Sequence, residues 1–386
     1  MIEVSGKYTS AKIMADREHL EEYTIAQVQQ ICDQEAAAGC KIVVMPDAHP
    51  GKGGPIGLTM TFKDKVIPSL VGVDIGCGMS MVKLGKIKKD FQKLDTVIRE
   101  NIPSGFSIRS KPYDEDIFNL LEELHCKDHV DLHKGLLSLG TLGGGNHFIE
   151  IDVDENGYYY LIVHSGSRHT GLEVAECYMQ EGHRRLLEND RDDIPYELSY
   201  VEGEVLVSYI HDVDIMHAYA KCNRDAIIHD ICKNMKWKPE SIMHCSHNYI
   251  EVYLHDDEKN NYMLRKGSIA AYGVSEFNPG NENVIIPINM RDGVIVGIGK
   301  GRPEWNCSAP HGAGRICSRS EIKNQHTVNE FKKSMEGIYS TCVNDDTLDE
   351  APFAYRDIDY VKEAIKDTVL VTNVLKPVYN FKAGGK

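Results

Sequence analysis

Aspartate and cysteine stand three residues apart in Val73-Asp74-Ile75-Gly76-Cys77-Gly78, a glycine-flanked bend after an apolar stretch. A carboxylate and a thiolate at that spacing can turn towards one ion, and the pair favours a transition metal over calcium or magnesium. A buried free cysteine beside a turn aspartate fits the same residues.

Five further segments carry chemistry of a related kind. Met45-Pro46-Asp47-Ala48-His49-Pro50-Gly51-Lys52 places Asp and His at a strand end, in a loop where Asp47 could orient a histidine or bind metal and Lys52 could meet a phosphate. Leu139-Gly140-Thr141-Leu142-Gly143-Gly144-Gly145-Asn146-His147-Phe148-Ile149-Glu150 exposes backbone N–H groups that can cradle phosphate, with Asn146 as donor and His147 as metal ligand. It is neither a Walker A loop nor a dinucleotide fingerprint, because no Lys-Ser/Thr follows the glycines. In Ile162-Val163-His164-Ser165-Gly166-Ser167-Arg168 a histidine ends a hydrophobic strand, with small residues and an arginine after it that suggest an anion pocket. His244-Cys245-Ser246-His247-Asn248 offers two histidines, of which a loop conformation lets only one ligate. Ser308-Ala309-Pro310-His311-Gly312-Ala313-Gly314-Arg315 holds a histidine in a constrained loop with Arg315 four residues on, suited to a nucleophile or acid/base facing a phosphate. Each segment also reads, taken alone, as an ordinary turn or a satisfied polar residue.

Two other groupings have simpler explanations. His125, His129 and His133 recur at i, i+4, i+8 among Lys127, Asp128 and Asp131, as on a solvated helix face. His211-Asp212-Val213-Asp214, followed by His217, reads as the capped start of a helix.

The elements that must position these residues alternate irregularly. Helices are predicted over residues 18–38, 90–101, 114–125, 171–189, 213–236, 326–337 and 357–366. Strands are predicted at 41–45 (stopped by Pro46), 71–73, 79–82, 158–163, 250–254, 284–289 and 293–298. Strands and long helices without regular βαβ alternation predict an α+β fold. No repeat, low-complexity tract or Pro/Ser-rich linker divides the 386 residues, so one compact domain over 1–386 is expected.

Composition limits the function classes. Hydrophobic residues at 42% and charged residues at 26% suffice for a sizeable core and exclude a disordered chain. No apolar run nears the roughly 20 residues that span a bilayer, and Met1-Ile2-Glu3-Val4-Ser5 lacks the features of a signal peptide. Eleven cysteines without a C-x-x-C pair indicate reduced thiols and a cytoplasmic location. A net charge of −15 argues against tight nonspecific nucleic-acid binding. It leaves room for a local basic groove, for which Lys86-Ile87-Lys88-Lys89 and Arg184-Arg185 are candidates, though each also reads as a solvated face.

Taken in order, Asp-x-x-Cys, Gly-Asn-His-Phe, His-x-Gly-Ser-Arg, His-Asn and His-Gly-Ala-Gly-Arg resemble the RtcB family of RNA ligases, from about Met45 to the C-terminus. The resemblance implies a ligase that joins RNA 2′,3′-cyclic phosphate or 3′-phosphate ends to 5′-hydroxyl ends, using GTP and two manganese ions, in RNA repair or tRNA splicing. It implies His311 as the guanylylated nucleophile and Asp47 as its orienter. It implies Asp74, Cys77 and His147 around one metal and Cys77, His164 and His247 around the other. Asn146 and Glu150 match nucleotide contacts, and Lys382 resembles a guanine contact. An archease-type activator is an implied partner. Ligand softness alone would suggest zinc, so manganese enters only with the family. The segment 287–293 stands where many members carry a Pro-Gly-Ser-Met-Gly-like run. With Trp305-Asn306 and Tyr379-Asn380-Phe381-Lys382 it points to a shorter, bacterial-type branch. The competing reading is a metal-dependent RNA phosphodiesterase or nucleotidyl hydrolase that does not join ends; the placed His311 speaks for the ligase.

Overall fold

A computed structural model describes residues 1–253, 262–274 and 283–383. The fold is α+β, built on two large sheets. The first runs in the order β1-β2-β3-β4-β12-β11 and the second in the order β10-β6-β8-β7-β17-β15-β14. In chain order the strands are β1 (Ile2–Ser5), β2 (Ser10–Ile13), β3 (Ile42–His49), β4 (Ile56–Phe62), β5 (Lys65–Val66), β6 (Gly78–Gly85), β7 (Phe148–Val153), β8 (Tyr159–Ser165) and β9 (Val201–Glu202). They continue with β10 (Ser241–Ser246), β11 (Asn248–Val252), β12 (Tyr262–Lys266), β13 (Ser268–Ala270), β14 (Asn283–Asn289), β15 (Gly293–Gly299), β16 (Ser308–Pro310) and β17 (Val369–Lys382). Only β2 and β3 pair in parallel among these ladders, so hairpins and antiparallel returns make the sheets.

The helices are α1 (Glu22–Cys32), α2 (Phe91–Asn101), α3 (Ile117–Glu122), α4 (Leu132–Ser138), α5 (Arg168–Glu188), α6 (Gly203–Met235), α7 (Arg319–Gln325), α8 (Val328–Ser334) and α9 (Ile358–Ile365). The 33-residue α6 serves both sheets. Its first half buries Val205, Leu206, Tyr209 and Met216 in the core beneath the first sheet. Its second half buries Ile227, Ile228 and Ile231 against Ile149, Leu161 and Val163 of the second. Each such aliphatic side chain is worth about 1.5–3 kcal/mol in burial.

Several elements differ from the sequence-based expectation. The helix expected over 18–38 is only α1, because the Cys32 carbonyl accepts the N–H groups of Tyr8 and Thr9 and cannot continue the ladder. Pro46 does not stop β3. The β3–β4 ladder is interrupted between Val44 and His49, so a residue without an N–H costs no bond there. Residues 71–73 are not a strand: the N–H groups of Leu70 and Val71 turn back to Ile67 and Pro68, and Gly72 takes φ +94°. α6 begins ten residues before the predicted start, so Asp212 sits mid-helix rather than at a cap. It is fully buried and accepts from the N–H groups of His125 and Cys126 and from Tyr178 Oη. His125, His129 and His133 are exposed as expected, but they straddle the turn between α3 and α4 and share no helix. The strand predicted at 250–254 is β11, and residue 254 lies outside the described residues.

Candidate metal and nucleotide site

Three loops and two strand ends meet at one cleft lined from both sheets, with Cys77, His164, His247, His311 and Lys382 among its walls. Asn223 and Arg224, adjacent on α6 and fully buried, hold these loops from beneath. Asn223 Oδ1 accepts from the N–H groups of Gly140 and Thr141, and its Nδ2 donates to the carbonyls of Thr141 and Gly166. Arg224 donates to Gly76 O, one residue before Cys77, and to Ser165 O, one residue after His164. Neither residue stands out in the sequence, because both lie inside a helix with no motif around them.

Cys77 Sγ lies 3.3 Å from His147 Nε2 and 3.4 Å from His164 Nε2. His147 Nε2 is 3.1 Å from Asp74 Oδ2. The far ring nitrogens face backbone carbonyls, His147 Nδ1 at 2.9 Å from Leu142 O and His164 Nδ1 at 3.2 Å from Asn146 O. An N–H on those nitrogens leaves each Nε2 lone pair turned towards the sulfur, the arrangement that metal-binding histidines use. Two groups result, Asp74–Cys77–His147 and Cys77–His164–His247, each with donor atoms within 4.8 Å of one another and with Cys77 common to both. His244, the other histidine of its motif, instead bonds Ser80 Oγ through Nδ1.

Electrostatics fit cations at these positions. Burial pushes His164 and His247 well below the ordinary imidazole range, so both are neutral donors. His247 Nδ1 is buried with no hydrogen-bond partner. Burial, reinforced by the Asp74 charge, pushes the Cys77 thiol well up. Only a neighbouring cation would make it a thiolate at neutral pH. Burial also raises the Asp74 carboxyl, but the hydrogen bond and charge of His147, with Arg168 beside them, outweigh it and hold the group at about 2. Gly166 is required here: a Cβ on it would come within 2.2 Å of Asp74 Oδ1.

His311 faces the same cleft. Its Nδ1 lies 2.8 Å from Asp47 Oδ2, and its ring centroid is 4.9 Å from that of His247. Asp47 lies in the stretch of β3 that has no β4 partner, with its side chain buried. Gly267, at φ +63°, lets the β12–β13 link pass close, since a Cβ there would be 3.2 Å from His311 Cε1.

The opposite end of the cleft is a buried ionic cluster. Lys382 Nζ is 2.7 Å from Glu350 Oε2, which also receives Tyr355 Oη, while Arg315 Nη1 is 3.3 Å from Glu350 Oε1. Burial would raise the Glu350 carboxyl, but Lys382, Arg319 and Arg315 overcome it and hold it at about 2. Glu150 lines the cleft and accepts from Asn380 Nδ2. Burial raises both Glu150 and Asp152 beside it. The Asn146 carbonyl lies 3.5 Å from Lys382 Nζ. Sequence reasoning placed Asn146, Glu150 and Lys382 here and missed Glu350, Arg319 and Tyr355. Glu350 follows Asp345, Asp346 and Asp349, and an acidic run looks solvated until its partners are known. Arg168, read from the sequence as part of an anion pocket, sits behind His147, its Nη1 3.2 Å from Nδ1 and its guanidinium against Gly143.

The family model for tRNA-splicing ligase RtcB matches residues 27–125 and 122–383. The chain belongs to the RtcB family. Among its relatives, RNA-splicing ligase RtcB1 of Escherichia coli (strain ATCC 25922) is 31% identical over 372 residues, covering 87% of this chain and 88% of the relative. RNA-splicing ligase RtcB of E. coli K12 is 30% identical over 371 residues, with the same coverage. tRNA-splicing ligase RtcB of Aeropyrum pernix is 27% identical and covers 83% of both chains. Among the described residues no helix is long and apolar enough to cross a membrane.

Proposed function

We propose that this RtcB-family protein is a GTP-dependent RNA ligase of the cytoplasm, its whole chain forming one ligase domain. It would join 3′-phosphate or 2′,3′-cyclic phosphate ends to 5′-hydroxyl ends in RNA repair or tRNA splicing. The observation that carries the reading is His311, a cleft histidine bonded through Nδ1 to a buried carboxylate and packed beside the metal-type group of His247. A hydrolase needs no nucleophile so placed.

Asp47 accepts a hydrogen bond from His311 Nδ1–H, which keeps that proton on Nδ1 and leaves Nε2 unprotonated. That nitrogen attacks the α-phosphorus of GTP, a P–N bond forms and pyrophosphate leaves. Asp47 balances the positive charge that grows on the ring. An RNA 3′-phosphate oxygen then takes the GMP, breaking the P–N bond and giving RNA-(3′)pp(5′)G. A cyclic end must first be opened by water to the 3′-phosphate. Finally the 5′-hydroxyl oxygen attacks the RNA phosphorus, GMP departs, and the hydroxyl proton is lost.

The residues present fit two divalent cations, taken as manganese from the family, with Asp74, Cys77 and His147 holding one and Cys77, His164 and His247 the other. When bound, such ions supply Lewis-acid stabilisation of phosphoryl oxygens. Asn146 and Glu150 are assigned to the nucleotide. Lys382 is assigned to the guanine side, where Glu350 holds its ammonium. An archease-type activator is a proposed partner.

Incubation with GTP labelled in the α-phosphate plus manganese, followed by denaturing electrophoresis, tests the reading. Label is expected on the wild type and absent from His311→Ala. His311→Ala is still expected to join an RNA that already carries GMP on its 3′-phosphate. Covalent GMP on His311→Ala would defeat the assignment.

A further inference from the structure

The basic run 86–89 takes no part in the chemistry above, and the fold gives it company. β6 leads from Cys77 to Lys83 and Gly85, and β10 returns beside it from Ser241 to Ser246, next to His247. At the end remote from the cleft, the link from β6 to α2 and the link from α6 to β10 form the two banks of one groove. Lys86, Lys88 and Lys93 line one bank; Lys236, Lys238 and Trp237 line the other.

These five lysines are exposed, and among the described residues none forms an ion pair. Of the two acidic residues in the groove, Glu240 is held by Lys83 at 3.3 Å and Asp90 caps α2 by accepting from Lys93 N. The other basic run is the contrast: Arg184 and Arg185 are bound by Glu181 and Glu188 along α5, an ordinary solvated face. In a chain of net charge −15, five lysines without an ion pair, set against the single unpaired carboxylate of Asp90, leave a local positive field that favours an external polyanion, although Lys86 also lies 5.9 Å from the Tyr158 ring centroid. The C-terminal end of α6 accounts for some attraction of Lys233, Lys236 and Lys238. It does not account for Lys86 and Lys88, which approach from the other bank. Trp237, half-buried against the second core, adds an aromatic surface among the lysines.

We infer that this groove binds the phosphate backbone of the substrate RNA away from the end being joined. The inference rests on the ligase reading. β6 spans eight residues, about 25 Å at roughly 3.3 Å per residue. At about 3.4 Å per phosphate that equals roughly seven nucleotides of helically stacked strand. A helically stacked substrate shorter than this cannot occupy groove and cleft together.

The test compares 20-nucleotide and 4-nucleotide RNAs bearing 3′-phosphate, bound to wild type and to the quadruple variant K86A/K88A/K236A/K238A across a salt series. The 20-mer should bind the variant at least tenfold more weakly, with a log–log salt slope shallower by about 3, four lysines at about 0.7 each. The 4-mer should bind both proteins alike, and GMP attachment should not change. The corresponding quadruple arginine variant should bind the 20-mer as wild type does, which separates charge from a folding defect. A K332A/K333A control, on exposed α8, should behave as wild type. Equal 20-mer affinity and slope in wild type and the alanine variant would overturn the inference, as would an equal loss for both RNA lengths. Failure of the ligase reading shows separately, as a wild type that acquires no GMP.

Discussion

Replacing Asp47 tests the orienting carboxylate without touching the metal-type groups. Asp47 Oδ2 is 2.8 Å from His311 Nδ1, its side chain is 2% exposed, and Oδ1 is buried without a partner. A hydrogen bond to a charged group is worth about 1.5–3 kcal/mol. Its full strength develops only as His311 becomes positive, so the loss falls on the transition state. At about 1.4 kcal/mol per tenfold, Asp47→Ala should slow GMP attachment roughly 10- to 150-fold. Asparagine should be no better. An orphan oxygen is what the Oδ1 position already tolerates, so the amide would turn its NH2 to His311. That locks the proton on Nε2, the reacting nitrogen. Single-turnover GMP attachment with α-labelled GTP measures the rate, and metal analysis of the same preparations should show unchanged content. Joining of RNA with pre-attached GMP should stay within a few-fold of wild type. A D47A rate within twofold of wild type, or a metal loss parallel to the rate loss, would refute the argument.

Three further perturbations address other parts of the molecule. Cys77→Ala should lose more metal, by elemental analysis after dialysis, than His147→Ala, His164→Ala or His247→Ala, because one sulfur serves both groups; equal losses would mean that the sulfur is not shared. Glu350 has its folded carboxyl at about 2 against an ordinary 4.5, so it contributes stability that is present above 4.5 and disappears as pH falls towards 2. Glu350→Gln should therefore lower the melting temperature at pH 7 and flatten the pH dependence of stability over that window, a difference of about 3 kcal/mol from the shift; parallel curves for the two proteins would contradict it. Asp212→Ala strands two backbone N–H groups and the Tyr178 hydroxyl in the core. At about 1–3 kcal/mol for each buried unsatisfied group, denaturant titration should show a loss of several kcal/mol while GMP attachment per folded molecule is retained.

The site was more legible than the scaffold. Asp74, Cys77, His147 and His311 stood out in short Gly- or Pro-rich loops, Asp47 and His164 at strand ends and His247 in a His-x-x-His segment, and only the ordered resemblance to a family joined them into one set. Burial and pairing hide the others. Lys382 lies on the predicted side of the cleft, but its partner Glu350 comes from a distant acidic turn that no local pattern connects to it. Boundaries failed where the deciding bond is long-range. α1 ends because of the β1–β2 turn, and β3 runs through Pro46 because its neighbour has let go of it.

The glycine-rich loop at 140–146 shows most clearly what spacing leaves out. Its sequence offers a run of backbone N–H groups to a phosphate, yet the fold has already assigned the first of them. Asn223 takes those of Gly140 and Thr141, and Pro103 O takes that of Leu142. Any cradle is therefore confined to the stretch from Gly143 to Asn146, where Gly143 and Gly145 hold φ of +80° and +71°. The same Asn223 bonds fix the strand of backbone whose Leu142 carbonyl orients His147. One buried amide on α6 thus sets both how much of the loop remains for a nucleotide and which nitrogen of His147 is free for a metal. Asn223 and Arg224 can do this from mid-helix because α6 packs against strands of both sheets, β6 and β8 of one and β11 of the other. A polar pair inside a helix reads as unremarkable in one dimension, and its role follows only from the three loops it joins.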